Sequence, residues 1–262
     1  MIQVLKPKYH VEECLHEIRD SLERGWTGLG DKTLKAEEEW KKYTGYNNCL
    51  FINSASVGLH LAINILKEEH GWKNTDSIIS TPITFVSTNH AVLYENLNIV
   101  FADVDENLCL DAEDVLKKIT ANTKAIIFVG MGGNIGQYEK IVKICKTHDL
   151  ILILDAAHMS GSRHNGEIVG KDADVVINSF QASKNLPIFD AGMISFSNKK
   201  LDEIARKKSW LGINKDTFSR SQGDYKWDYD VEYTGWKYHG NSIAASIFLA
   251  ELPFLDEGND YR

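Results

Sequence analysis

Residues 150–186 read LILILDAAHMSGSRHNGEIVGKDADVVINSFQASKNL. Two apolar runs in it, ILIL and VVI, end in polar residues, Asp155 and the pair Asn178-Ser179. Short apolar runs without polar alternation are the pattern of strands buried on both faces, as in a parallel sheet. The same rhythm recurs on either side of this stretch. Upstream, NNCLFIN (47–53) meets a helical pattern over 54–70 in which Leu59, Ile63 and Leu66 recur at helical spacing. SIIST (77–81) precedes a helix-like segment at 87–93, NIVFADV (98–104) precedes the helix 111–119, and AIIFV (125–129) precedes the helix 138–149. Downstream comes AGMISF (191–196). Helices are also predicted over His10–Arg24 and Leu34–Thr44, stopping at Gly25 and Gly45. Strands alternating with helices predict an α/β fold, three-layer α/β/α with a mostly parallel central sheet and right-handed crossovers.

The chain has 262 residues, 43% of them hydrophobic and 25% charged, which suffices for a large buried core and rules out dominant disorder. Lys and Arg total 29 against 37 for Asp and Glu, a formal charge of −8 that argues against a dedicated nucleic-acid binder. Cys14, Cys49, Cys109 and Cys145 form no CxxC pair, so a zinc site is not expected and ordinary thiols of a reducing compartment are. The start is acidic and carries no signal-peptide pattern, and every apolar run falls far short of a membrane span, so a soluble cytoplasmic protein is expected. After Lys200 a basic helix leads into residues 217–241, dense in aromatics, charge and Gly and holding Trp227 and Trp236. Such a segment is either a surface excursion packed on the main domain or a contact surface for a second subunit.

Open α/β sheets bind ligands beyond the carboxyl ends of their strands. Four such places carry chemistry. Asn53-Ser54-Ala55-Ser56 opens a helix with small residues and hydroxyls, suited to a phosphate on free N–H groups or to simple serine capping. Asp155, followed by His158, closes an apolar strand and needs a cationic or hydrogen-bonding partner unless it merely caps the next element. Lys184 stands in the polar loop that begins at Ser179, either a surface lysine or a partly buried nucleophile for a carbonyl. Phe85, beside Thr84, is placed to stack on a flat ligand or to join the core. Together they are the parts that hold pyridoxal phosphate. Lysine forms the Schiff base, the carboxylate keeps the pyridine nitrogen protonated, the helix end takes the phosphate and the aromatic covers the ring. No GxGxxG follows the first strand, which excludes a Rossmann-type NAD enzyme.

Longer motifs in the same order resemble the DegT/DnrJ/EryC1/StrS family of sugar aminotransferases, fold-type I pyridoxal-phosphate enzymes. They are RGWTGLGDKTLKAEEEWKKYTG (24–45), NSASVGLHLA (53–62), TFVSTNHAVLYENLNIVFADVD (84–105), the stretch 150–186 and YTGWKYHGNSIAASIFLAELPFLD (233–256). The resemblance implies that Lys184 carries the cofactor and shuttles a proton, and that Asp155 pairs with the pyridinium nitrogen. It implies His158 near the ring's O3′ side, Phe85 stacked on the ring, and Ala55, Ser56 and Ser179 at the phosphate. Asp190-Ala191-Gly192 replaces the family's Glu-Gly-Gly. The family's partner-subunit asparagine has His239 in its place, with Asn241 close by.

The activity implied is amino transfer from L-glutamate to a nucleotide-linked keto-deoxysugar for surface polysaccharide or a related glycoconjugate, in a homodimer with composite sites. Relatives that dehydrate lack the lysine. Family members continue into a small C-terminal domain, which this chain is expected to lack. The expected division is an N-terminal segment 1–33, a large cofactor-binding domain 34–215 and an aromatic dimer-contact segment with terminal helix 216–262. The alternative is a non-catalytic cofactor-binding homologue that needs a partner chain or the missing domain for turnover.

Overall fold

The computed structural model describes residues 6–215, 217–221 and 229–262. Trp227 lies outside the described residues. In chain order the strands are β1 (Asn48–Ile52), β2 (Ser77–Ser80), β3 (Asn98–Phe101), β4 (Thr123–Val129), β5 (Ile151–Asp155), β6 (Arg163–His164), β7 (Glu167–Ile168), β8 (Val175–Ser179) and β9 (Gly192–Phe196). The helices are α1 (Val11–Glu23), α2 (Asp31–Thr44), α3 (Ala55–His70), α4 (Ser87–Tyr94), α5 (Ala112–Lys118), α6 (Tyr138–His148), α7 (Lys199–Lys208), α8 (Thr217–Ser221), α9 (Ser242–Glu251) and α10 (Leu255–Tyr261).

Seven strands form one sheet in the order β1-β9-β8-β5-β4-β2-β3. Pairings from β8 through β3 are parallel, whereas β9 runs antiparallel to both β1 and β8. The sheet is mostly parallel, as expected. Its strands alternate between two cores: Ile126, Phe128, Leu152, Leu154 and Val176 pack on one face, and Ala125, Ile127, Ile153, Val175 and Ile177 on the other. Period-two geometry with both faces covered is why the strands read as unbroken apolar runs. Each such side chain contributes roughly 1.5–3 kcal/mol when fully buried.

Edge strand β1 is held from both sides by buried charge. Arg206 of α7 pairs with Glu37 of α2 at 2.9 Å and with Asp202 at 2.8 Å, and donates to the Cys49 carbonyl. Glu37 in turn accepts from the Phe51 N–H at 3.0 Å. Removing one partner from such a cluster strands the others in low dielectric, so the three fix where β1 ends and α3 begins.

Two details depart from the sequence pattern. The terminal apolar helix is not amphipathic but sandwiched: α9 packs against α1 and α2, with Ser21 and Ser246 hydroxyls 2.8 Å apart. The residues after it are not a tail. Pro253 breaks the helix into a 3-10 turn at Leu252–Phe254, after which α10 forms and Asn259 bonds Asn185 at 2.6 Å and the Ser160 carbonyl at 2.9 Å. The β6–β7 hairpin was not expected at all.

Candidate active site

A cavity of 460 Å³ opens beyond the carboxyl ends of the central strands. Each flank comes from the loop after one strand: Ser54, Ala55 and Ser56 after β1, Thr84 and Phe85 after β2, Met131 after β4, Asp155 and His158 after β5, and Ser179 and Lys184 after β8. Seven of the residues named from sequence therefore share one pocket: Ala55, Ser56, Phe85, Asp155, His158, Ser179 and Lys184. Asn241 does not line it within the chain; its side chain caps α9, accepting from the Ala244 N–H at 2.9 Å. His239 lies beside Trp210 with ring centroids 4.4 Å apart, outside this cavity. The 237–240 backbone is nevertheless stitched to the end of β1, through Asn53 N–H to the Tyr238 carbonyl and Gly240 N–H to the Phe51 carbonyl, both 2.9 Å.

Ser54 ends β1 in extended backbone and caps α3, its hydroxyl accepting from the Val57 N–H. The first turn of α3 carries no acidic residue, so its N–H groups and dipole face the cavity uncompensated and favour an anion. Gly192 makes this approach possible. A Cβ there would sit 2.9 Å from the Ala55 nitrogen, the Ser54 carbonyl carbon and the Asn178 oxygen, all backbone atoms that cannot yield independently. Gly192→Ala is therefore expected to push α3 from β9, lowering stability by about 1–3 kcal/mol and weakening phosphate binding. Urea unfolding and a titration with inorganic phosphate check both effects.

Asp155 is buried and accepts two hydrogen bonds, from the Thr88 hydroxyl at 2.7 Å and the Ala157 N–H at 3.1 Å. Burial pushes its carboxyl above the usual range, opposed by the Thr88 and Ala157 bonds and by the charges of His158 and Lys184. Burial lowers the Lys184 amine, with Asp155 pulling the other way. His158 is lowered by burial first and by Lys184 second. Its Nδ1 accepts from the Gly132 N–H at 3.3 Å, which leaves the neutral ring's proton on Nε2 as a donor. Lys184 sits in a tight loop closed by Phe180–Ile188 and Ala182–Phe189 backbone bonds and staked by Tyr9, whose hydroxyl donates to the Ile188 carbonyl at 2.7 Å. Sequence reasoning missed Thr88, a small hydroxyl inside a helix-like pattern with no motif to single it out.

A mostly parallel sheet between helix layers, with this constellation at its carboxyl edge, defines the large domain of fold-type I pyridoxal-phosphate aminotransferases. The chain belongs to the DegT/DnrJ/EryC1/StrS aminotransferase family, whose profile matches residues 8–262. It is 34% identical over 242 residues to the uncharacterized protein MJ1066 of Methanocaldococcus jannaschii, covering 92% of this chain and 62% of that protein. It is 30% identical over 247 residues to the spore coat polysaccharide biosynthesis protein SpsC of Bacillus subtilis, covering 94% and 62%. Helicobacter pylori PseC, an aminotransferase involved in pseudoaminic acid biosynthesis, superposes with a TM-score of 0.89 at 25% identity, covering 97% and 66%. The chain thus spans less than two thirds of the length of each.

The residues present fit the family's cofactor, pyridoxal phosphate. A neutralisable amine, a buried carboxylate with no cation hydrogen-bonded to it among the described residues, and a helix start free of acidic residues match its aldehyde, ring nitrogen and phosphate. Among the described residues no group of His, Cys, Asp and Glu is placed to hold a metal ion, and no helix is long and apolar enough to cross a membrane.

Proposed function

We propose that the protein is a pyridoxal-phosphate aminotransferase that moves an amino group from L-glutamate to the keto carbon of a nucleotide-linked deoxysugar. The observation that carries this reading is the meeting of Lys184 and Asp155 in one cavity with the bare N-terminus of α3. When bound, the cofactor supplies an electron sink for the charge that develops at the donor's α-carbon. The chain supplies the rest. Lys184 Nζ, lowered by burial, holds the cofactor and then takes and returns the proton at the reacting carbon. The Asp155 carboxylate holds the proton on the ring nitrogen. Ala55 N–H, Ser56 and Ser179 bind the phosphate, the His158 Nε2–H donates toward the ring's oxygen, and Phe85 covers the ring face.

Phe85 is 69% exposed, and Val86, Leu93 and Tyr94 continue an apolar strip from the cavity mouth along α4. A strip of this kind supports a homodimer in which a second copy closes the site, with Asn241 or His239 reaching the partner's phosphate. SpsC and PseC support a product destined for a surface polysaccharide or related glycoconjugate, and free buried thiols fit a cytoplasmic setting.

The test uses the full chain with added pyridoxal phosphate. L-glutamate is expected to convert the cofactor's absorption band and release 2-oxoglutarate in equal amount. A band that forms on Lys184 but ignores glutamate favours the non-catalytic homologue instead.

A further inference from the structure

Asp155 does not stand alone at the base of the cavity. The Thr88 hydroxyl, fully buried, lies 2.7 Å from its Oδ2, and the Thr84 hydroxyl lies 2.8 Å from that of Thr88. Thr88 has one proton to give. An ionised carboxylate only accepts, so that proton must go to Asp155, and the oxygen of Thr88 must then accept from Thr84. The chain of hydroxyls has one direction while Asp155 is charged, and it reaches from the carboxylate to the wall of the cavity, where Thr84 is exposed to a ligand. The Ala157 N–H holds the other oxygen. With both oxygens anchored, the plane of the carboxylate is fixed.

We propose that Thr88, backed by Thr84, is a positioning residue for Asp155: the two hydroxyls fix the carboxylate's orientation toward the cavity and hold it in its charged form. That a ring nitrogen faces the carboxylate rests on the aminotransferase reading; the hydroxyl relay itself does not. The physical reason is local. A carboxylate in low dielectric keeps its charge only if donors replace the lost water, and a hydrogen bond to a charged group is among the stronger replacements. The charged neighbours that act on Asp155 from the elements packed around it are His158, on its own loop, and Lys184, from the loop after β8; α4 contributes only the neutral Thr88.

The test titrates the Asp155 side-chain carboxyl by carbon NMR in the full chain without added cofactor, assigned by its loss in Asp155→Asn. Thr88→Val keeps the shape and deletes the donor. It is expected to move the midpoint upward by about one to two pH units. Thr88→Ser restores the hydroxyl and is expected to titrate within a few tenths of a unit of wild type. Thr84→Val removes the second donor and gives a smaller shift in the same direction. Pyridoxal phosphate added to the same proteins is expected to bind about tenfold more weakly to Thr88→Val than to Thr88→Ser. An unmoved midpoint in Thr88→Val, or a serine variant that behaves like the valine one, overturns the proposal. Should the valine variant not fold, an unmoved midpoint in Thr84→Val overturns it equally. If wild-type protein forms no borohydride-stable adduct at Lys184, the aminotransferase reading fails, while the carboxyl titration still decides the relay.

Discussion

Lys184→Ala is expected to abolish the borohydride-stable adduct between the chain and pyridoxal phosphate, and to lower any amino transfer by about 10³-fold or more. The alanine chain still presents the α3 N-terminus with Ser56 and Ser179, so the phosphate end is expected to bind without covalent capture. Intact-mass measurement after reduction reads this directly, whether or not the chain turns over. The pH dependence follows from burial. The folded state disfavours the ammonium form, so Lys184 releases its proton below 10.5, the ordinary lysine value. Adduct formation by wild type is therefore expected to rise with pH and reach half its maximum rate below 10.5. A normal yield of adduct from Lys184→Ala would overturn the site.

Asp155→Asn keeps the side chain's shape and removes its charge. Amino transfer is expected to fall on the order of 10²–10³-fold, because an amide cannot hold a proton on the ring nitrogen as a carboxylate does. Stability is expected to move the other way. The folded-state carboxyl is raised above 3.8, so the folded chain binds the proton more tightly than the unfolded chain. That stabilisation is complete below 3.8 and is lost as pH rises through the raised value, where the buried group must ionise. The asparagine variant feels none of this. Its stability relative to cofactor-free wild type is therefore expected to improve as pH rises through that window, in urea titrations run at several pH values. An activity lost together with stability at every pH would instead make Asp155 a structural cap.

Much of this arrangement is legible in the sequence, and the reason is burial. Strands covered on both faces must be apolar at every position, so ILIL and VVI announce themselves, and the first polar residue after each marks the carboxyl edge where ligands bind. That logic brings Asp155, Ser179 and Lys184 to attention before any geometry. It is silent where burial is partial. The β6–β7 hairpin uses strands of two residues around Asn165-Gly166, and its one signal is that dipeptide, whose left-handed backbone angles (φ of 51° and 83°) suit a tight turn. Strand β9 reads like any other buried strand, since composition does not record direction. Residues 256–262 look like a polar tail because α10 earns its place through Asn259, which bonds the lysine loop rather than packing apolar surface. Thr88 escaped notice for a related reason: one hydroxyl matters only when a carboxylate from β5 comes to meet it.

The strand order has a temporal side. Strand β1 carries the start of α3 at its end, and within the sheet its neighbour is β9, Ile52 facing Gly192 and Asn48 facing Phe196. Strands β2 to β8 can align from their own stretch of chain, but β1 has nothing to lie against until β9 is in place. A chain emerging from the ribosome therefore has Asp155 and even Lys184 translated while the anion-binding end of its first long helix is still without a seat. Pairings between such distant parts of a chain form slowly, because the intervening loop must first be closed. The phosphate seat is thus among the last things this polypeptide acquires, and residues 192–196, which touch no reacting atom, decide when it does.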